Sequence, residues 1–299
     1  MRASYGTLQL LGLKPGSFPF SPKTAFFLVG EECSGNCAFC AQSAGQSGKL
    51  SRITWPEVDP KEAIEKLASV KLDRICIQAV KSHPAFREAC ELLPEIQKTN
   101  NAPISASMHI ENLAQAELLF GLRCDSVSVA LDCSTEELSK VYKGRDLSSS
   151  FKLLEELATK WPGKVATHLI MGLGETEEEL VELARKIIKA GASISLFAFT
   201  PVEGTPLENN APPEPKRYRM VQIALALIRK NRNASLHYQN GKLVFEVLPK
   251  QLLKPKDFQN PGCRGCNRPY YNEKPGGFMY NYPNPPDLDD ALSILLEEK

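Results

Sequence analysis

Short apolar runs of strand length alternate with longer amphipathic stretches through most of the chain. Ala25 to Val29 is a compact apolar run of buried-strand type. DPKEAIEKLASVK follows, a helix opened by Asp59 with Pro60 in its first turn, and then RICIQAV at 74 to 80, a second strand. The alternation continues with PAFREACELLPEIQKT, a helix that Pro94 should kink or split; PISASMH, a strand; ENLAQAELLFGLR, a helix; and SVSVALD at 126 to 132, a strand. Helical segments run on to Trp161 with a polar break near Gly144 to Ser150. KVATHLIMG is the next strand. TEEELVELARKIIKAG is a helix with Thr176 as N-cap and Glu179 in the capping-box position; SISLFAFTP is a strand and KRYRMVQIALALIRKN a helix. At least six strand-helix units in series predict an α/β fold with a parallel sheet and helices on its outer face. Such a sheet closes partly or fully into a barrel whose chemistry sits where the strands end. SLHY and KLVFEV, after residue 234, are expected as two last strands that would complete eight. Residues 1–23, rich in Pro and Gly, read as an irregular lead-in, 24–250 as the barrel and 251–299 as a C-terminal extension.

The loop leaving the first strand concentrates the chemistry. Cys33, Cys37 and Cys40 lie within eight residues, with Gly35 and Asn36 between them. Three thiolates so close repel one another unless a cation holds them. Zinc structural sites use four protein ligands, usually as two separated pairs, whereas a 4Fe-4S cluster can take three cysteines and leave one iron open. The spacing favours iron; a zinc knuckle borrowing a fourth ligand is the alternative, and the odd count of nine cysteines argues against a disulfide framework.

Composition adds limits. The 299 residues are 42% apolar and 24% charged, which describes an ordinary globular protein with room for a large core. A net charge of +1 gives no excess that would point to nucleic acid or an anionic membrane. No apolar run reaches membrane-spanning length, and the first residues lack a signal-peptide pattern, so a cytoplasmic location is expected.

The spacing CxxxCxxC with Phe39 between the last two cysteines resembles the radical S-adenosylmethionine (SAM) superfamily, and CAFCAQS resembles its biotin synthase branch. The resemblance implies a radical SAM (β/α) barrel, partial with six strands or full and TIM-like with eight. It further implies a cluster whose open iron is chelated by SAM, which is cleaved to methionine and a 5′-deoxyadenosyl radical. Catalysis would then rest with SAM and clusters, not with a side chain. By the same resemblance Phe39 lies beside the adenine, Ile170 in HLIMGLGET packs on it, and Gly172, Gly174 and Glu175 shape the turn, with Glu175 also helping to hold SAM. Asp132 would bond the ribose or amino group, although a strand-terminal Asp is otherwise a common helix N-cap. His168 departs from the glycine usual in the family.

Biotin synthase carries a second, sulfur-donating cluster on three strand cysteines and an arginine. Cys76 matches the first, but PISASMH and KVATH hold no cysteine at the other two. NPGCRGCNRP near the C-terminus instead offers Cys263 and Cys266 in a Gly- and Pro-flanked knuckle, and Cys76 is the candidate third ligand of a second, auxiliary 4Fe-4S cluster, with His237 a conceivable completion. Equally, Cys76 could be a buried apolar thiol, as expected for Cys90, Cys124 and Cys133. The aromatic run PYYNEKPGGFMYNYP is expected to fold as a lid over the barrel mouth. Together these features resemble a subunit of the two-component lipoyl synthases. That likeness implies a sulfurtransferase of lipoate biosynthesis acting with a homologous radical SAM partner on an octanoylated lipoyl-carrier protein, reduced by a donor such as ferredoxin. A maturase- or methyltransferase-like radical SAM enzyme without sulfur chemistry, a noncatalytic zinc scaffold and an electron-transfer subunit are the competing readings.

Overall fold

The computed structural model describes residues 1–299 except 17–19, 52, 233–235, 261, 268–271, 274–275 and 297–299. In chain order the elements are β1 Arg2–Ala3, α1 Tyr5–Leu10, β2 Thr24–Val29, β3 Lys49–Leu50, β4 Ile53–Thr54, α2 Pro60–Leu67, β5 Arg74–Ala79, α3 His83–Thr99, β6 Ile104–Ser107 and α4 Leu113–Gly121. They continue with β7 Ser126–Ser128, α5 Glu136–Lys143, α6 Leu147–Lys160, β8 Val165–Met171, α7 Glu177–Lys189, β9 Ser193–Ala198, α8 Pro215–Arg229, β10 His237–Gln239, β11 Lys242–Val244 and α9 Leu288–Leu296. Seven strands form the main sheet in the order β1-β2-β5-β6-β7-β8-β9. From β2 to β9 all pairings are parallel, while β1 lies antiparallel on β2. Helices α2 to α7 connect or follow these parallel strands, so every crossover brings a helix onto one face of the sheet.

The sheet therefore does not close. Among the described residues the segments expected as seventh and eighth strands of a full barrel, β10 and β11, pair only with each other, and Gly241 at their turn lies against Thr176. Their pairing follows from the Asn240-Gly241 turn, whose residues both have left-handed φ, the geometry of a tight hairpin. The lead-in also carries more regular structure than its Pro and Gly content suggests, since β1 and α1 pack against β2. Nor does Pro94 split α3, which runs unbroken over 17 residues. The helix buries Ala85, Ala89, Leu93 and Ile96 along one stripe, and that tertiary packing outweighs one lost backbone hydrogen bond. The expected caps are present: Asp59 accepts from the Glu62 N–H, and Thr176 and Glu179 form a full capping box.

Alternation along the strands divides the residues between two faces. Ile75 and Ile77 of β5, Ile104 and Ala106 of β6, Val127 of β7 and Ile194 and Leu196 of β9 join the helix-covered core. The opposite, inner face carries Arg74, Cys76 and Gln78 on β5, Ser105 and Ser107 on β6, Ser126 and Ser128 on β7, and Ser193 and Ser195 on β9. An interior so rich in small polar side chains leaves room at the centre of the half-barrel.

The C-terminal extension is fastened to α8 by Arg219, whose side chain has no solvent exposure. Its guanidinium lies 5.3, 5.1 and 5.1 Å from the ring centres of Phe258, Phe278 and Tyr282, and donates to the carbonyls of Met279 and Tyr280 and to Gln222. Tyr280 packs edge-on against Tyr218 and donates to the Pro213 carbonyl. The described aromatic residues expected as a lid over the mouth thus wrap α8 instead, because a buried cation attracts ring faces. Tyr270 and Tyr271 lie outside the described residues.

Candidate active site

The loop after β2 hangs at the C-terminal end of the strands. Ser34 fixes it to the end of β5, its N–H and hydroxyl both donating to the Lys81 carbonyl at 2.8 Å, and the Ala38 N–H donates to the Tyr142 carbonyl. Within the loop the Gly35 N–H donates to Cys33 Sγ at 3.4 Å. A Cβ on Gly35 would stand 3.4 Å from Cys33 Sγ and 4.0 Å from Cys37 Sγ, so the missing side chain keeps the space beside both thiols open. The Ser43 hydroxyl stands within bonding distance of the Cys37 and Cys40 carbonyls. Burial, with Asp132 next in effect, pushes the Cys37 thiol up to about 11, and burial raises Cys40 as well. Free thiols with a backbone donor aimed at one sulfur, half-sheltered on a single loop, suit a group that supplies positive charge.

Cys37 and Cys40 open into a pocket that Phe39, Asp132 and Ile170 also line, with Leu50, Gln78, Ser107, His168, Phe197, Phe199, Thr200 and Asn272. Three of the residues assigned to SAM by resemblance therefore share one pocket with two of the three cluster cysteines. Asp132 is held there by unusual means. Its backbone has φ of +61°, in the left-handed region that non-glycine residues avoid, and is stitched to β8 by its N–H to the His168 carbonyl and by the Ile170 N–H to its own carbonyl. Lys143 of α5, almost fully buried, pairs with the Asp132 carboxylate at 2.8 Å and donates to the Ala130 and Leu131 carbonyls. The N-cap of α5 is Thr135, so Asp132 is not spent on capping. Lys143 was not singled out from sequence; a lysine on an amphipathic helix gives no sign of turning inward.

Gly172 and Glu175 stand beside the pocket. Gly172 has φ of +105° with Phe199 and Pro213 packed against it, and the Glu175 carboxylate accepts from the N–H groups of Gly172 and Leu173. Burial raises the Glu175 carboxyl, and the Gly172 N–H opposes it. The geometry gives Glu175 the work of tying the turn. His168 stacks edge-on against Phe197, 5.4 Å between centres, which accommodates the departure from glycine.

The second cysteine set lies toward the opposite end. Cys263 lines a cavity with Asp73, Arg74, Pro103, Asp125, Ser126, Lys164 and Ser193, all at the N-terminal ends of strands. The knuckle is pinned across that end: the Thr24 hydroxyl donates to the Gly265 carbonyl, Arg74 to the Arg264 carbonyl, and the Cys266 N–H to the Cys263 carbonyl. Cys266 belongs to the same inner apolar cluster as Cys76, with Phe26, Leu28 and Trp55. A polar relay crosses the floor. Arg74, which can only donate, gives Nη1–H to Ser105; Ser105 then donates to Ser126 at 2.7 Å, and Ser126 donates to Cys263 Sγ at 3.6 Å. Arg74 is anchored by Asp125 at 2.8 Å. His237 sits exposed on the outer hairpin. Cys124 and Cys133 are buried and pushed up to about 12, chiefly by burial, and Cys90 is raised for the same reason. Among the described residues no three His, Cys, Asp or Glu side chains stand close enough to hold one metal ion. A polynuclear cluster spaces its thiols more widely, since iron and sulfide lie between them.

A family model described as the radical SAM superfamily matches residues 27–187, more than half of the chain and the whole span from the cysteine loop to α7. The chain belongs to the radical SAM superfamily. Members use a 4Fe-4S cluster and SAM, which the loop of Cys33, Cys37 and Cys40 and the pocket beside it could hold. Within the superfamily the chain is 28% identical over 191 residues to a biotin synthase of Persephonella marina, covering 62% of this chain and 56% of that one. It is 26% identical over 183 residues to a lipoyl synthase of Stutzerimonas stutzeri, covering 56% and 53%. It thus spans little more than half the length of these relatives. Among solved structures the fold is similar to that of the FeFe-hydrogenase maturase HydG from Carboxydothermus hydrogenoformans, with TM-score 0.56 and 13% identity over 77% of this chain and 55% of the other. It is similar as well to methylornithine synthase, with TM-score 0.55 and 15% identity over 70% and 62%. Among the described residues no helix is long and apolar enough to cross a membrane.

Proposed function

We propose that the protein is a radical SAM sulfurtransferase, a subunit of a two-component lipoyl synthase that inserts sulfur into the octanoyl chain on a carrier-protein lysine. The observation that carries this reading is the hydroxyl relay from Arg74 through Ser105 and Ser126 to Cys263 Sγ. The Ser126 hydroxyl, held by Ser105 and Arg74, faces Cys263 Sγ and ties that sulfur to the sheet interior. Cys76 and Cys266 belong to one apolar cluster, which extends through Leu50 to Cys33 of the first loop. Similarity to both a biotin synthase and a lipoyl synthase supports the same class.

When bound, SAM and its cluster supply a carbon radical able to take hydrogen from an unactivated C–H bond, and an auxiliary 4Fe-4S cluster supplies sulfide. The protein's own residues hold these groups at the two ends of one interior. Cys33, Cys37 and Cys40 would bind the first cluster, and Phe39, Ile170 and Asp132 would orient SAM. Cys76, Cys263 and Cys266 would bind the second cluster. The apolar walls of Phe197, Phe199 and Leu50 exclude water from the space above it. A homologous radical SAM subunit, an octanoylated carrier and a ferredoxin-type reductant complete the proposed system.

The test is the iron and sulfide content of anaerobically reconstituted protein with Cys33, Cys37 and Cys40 all changed to Ala. About four irons should remain and be lost when Cys76, Cys263 or Cys266 is also removed. Near-zero iron in the triple variant would overturn the auxiliary cluster and leave a single-cluster enzyme.

A further inference from the structure

Arg74 is the one Lys, Arg, Asp or Glu among the inward-facing residues of β2 and of β5 to β9, and it is only 3% exposed. A guanidinium is costly to bury unless its donors are used, and its ion pair does not account for that cost. The Asp125 carboxylate that Arg74 meets at 2.8 Å is 45% exposed, so water screens the contact and an arginine lying outside the interior would make it equally well. The inward position serves the other two bonds. Nε donates to the carbonyl of Arg264, which lies in the chain between Cys263 and Cys266. Nη1 donates to Ser105 at 2.8 Å. Because Arg74 cannot accept, the hydroxyl proton of Ser105 is left for Ser126 and that of Ser126 for Cys263 Sγ. One side chain thus reaches the knuckle twice, at its backbone and, through two buried serines, at a sulfur.

We infer that Arg74 is a positioning residue of the second thiol set, holding Cys263 and Cys266 at a fixed place relative to Cys76. The inference rests on the auxiliary-cluster reading above. Arg74 and Cys76 stand two residues apart on the same face of β5, a step of about 7 Å. A knuckle gripped by Arg74 therefore takes its depth from the strand that carries the third thiol. The approach is close on both sides of the grip. A Cβ on Gly265, which has φ of +81°, would stand 3.3 Å from Asp73 Cβ, and one on Gly262 would collide with the Ser195 hydroxyl. Other bonds hold the knuckle without touching a sulfur. Thr24 donates to the Gly265 carbonyl, and the buried Asn267 accepts from the Lys23 N–H and donates to the Ser21 carbonyl. These fasten the loop to the start of β2, whereas Arg74 joins the knuckle's backbone and one of its sulfurs to the strand of Cys76. Nε, Nη1 and Nη2 are spent on protein oxygens, so Arg74 acts through the thiols and not as a ligand. Lysine cannot replace it, because one ammonium on a flexible stem does not span the carbonyl, the serine and the carboxylate together.

The experiment uses the full chain with Cys33, Cys37 and Cys40 changed to Ala, so that any iron bound belongs to the second set. After anaerobic reconstitution it follows iron release to EDTA and the electron paramagnetic resonance of the dithionite-reduced protein. Adding Arg74→Lys should speed iron release by about tenfold or more, the usual effect of removing a group that orients metal ligands, and should alter the resonance. Urea denaturation of the cluster-free protein should still show a folded chain. Ser126→Ala cuts the arm to Cys263 and leaves the grip on the Arg264 carbonyl, so it should alter the resonance with a smaller change in release. Release and resonance in Arg74→Lys equal to those of the parent overturn the inference but not the auxiliary-cluster reading. Faster release accompanied by loss of the urea transition overturns it too, and makes Arg74 a purely structural residue. If the parent with Arg74 intact holds no iron, the auxiliary-cluster reading itself fails and takes the inference with it.

Discussion

Lys143 is the residue whose loss should be felt most at the pocket beside the cysteine loop. Its side chain is only 4% exposed and the partner Asp132 carboxylate 16%, so the pair at 2.8 Å lies largely out of water. Replacing Lys143 by Met keeps the length of the side chain and removes three things: the ion pair and the donors to the Ala130 and Leu131 carbonyls. Breaking one side of a buried pair costs about 3–5 kcal/mol, because the other charge stays behind without compensation. The left-handed backbone of Asp132 stores about 1–3 kcal/mol that only the surrounding bonds hold in place. Relaxation of that strain offsets part of the loss, so about 3 kcal/mol is expected for Lys143→Met. The double variant Asp132→Asn with Lys143→Met should recover at least 1 kcal/mol, since a neutral amide is cheaper to bury than an unpaired carboxylate. Urea denaturation of the cluster-free single and double variants measures both quantities. Iron content should be unchanged in Asp132→Asn while SAM binding weakens. A Lys143→Met variant within 1 kcal/mol of wild type, or a double variant less stable than the single, would refute the account of Asp132 as a charge held in the pocket by Lys143.

Two further outcomes follow from the same structure. Arg219→Met should release the C-terminal extension from α8, where three rings and two carbonyls now enclose the guanidinium; limited proteolysis should then cut within 251–299 first, and an unchanged cleavage pattern would count against this anchoring. His109 has a pKa lowered to about 4 by burial, then by Arg145 and Lys81. Arg145 donates to its Nδ1 at 2.9 Å, which fixes the neutral ring. The unfolded chain takes up that proton near pH 6.5 and the folded one near 4, so stability should rise with pH between these values. His109→Gln should flatten that part of a stability profile, and an unchanged slope would count against the assignment.

The parallel strands were legible because their helix-facing positions form apolar runs. RICIQAV and SISLFAFTP contain β5 and β9, and KVATHLIMG contains β8. SVSVALD was read too long, since β7 ends at Ser128 and the chain beyond it bends into the left-handed turn at Asp132. The cysteine loop was legible for another reason: local spacing alone brings its thiols to one side. Arg74, Lys143, Gln78 and Asn272 were not. Each acts through residues from 11 to over 100 positions away, or lines a space that only tertiary folding creates. Arg74 was hidden by its surroundings, as a charged residue opening an apolar run reads as the exposed end of a strand, whereas it bonds Ser105 and Asp125 across the floor.

The open sheet gives the extension its role. A closed eight-stranded barrel would have its interior filled by strand side chains and reachable only from its ends. Here six parallel strands leave a gap, and the extension enters it from outside the sheet, touching Ser195 with Gly262, Ser126 with Cys263, Asp73 with Gly265 and Thr200 with Asn272. The extension thus brings Cys263 to the strands' N-terminal end and Asn272 to their C-terminal end. The small Ser side chains opposite are what make room for it. Enlarging one of them, as in Ser195→Val, would displace Gly262, whose Cα already approaches so closely that no Cβ fits. The depth of the knuckle is therefore set by how closely Gly262 approaches Ser195.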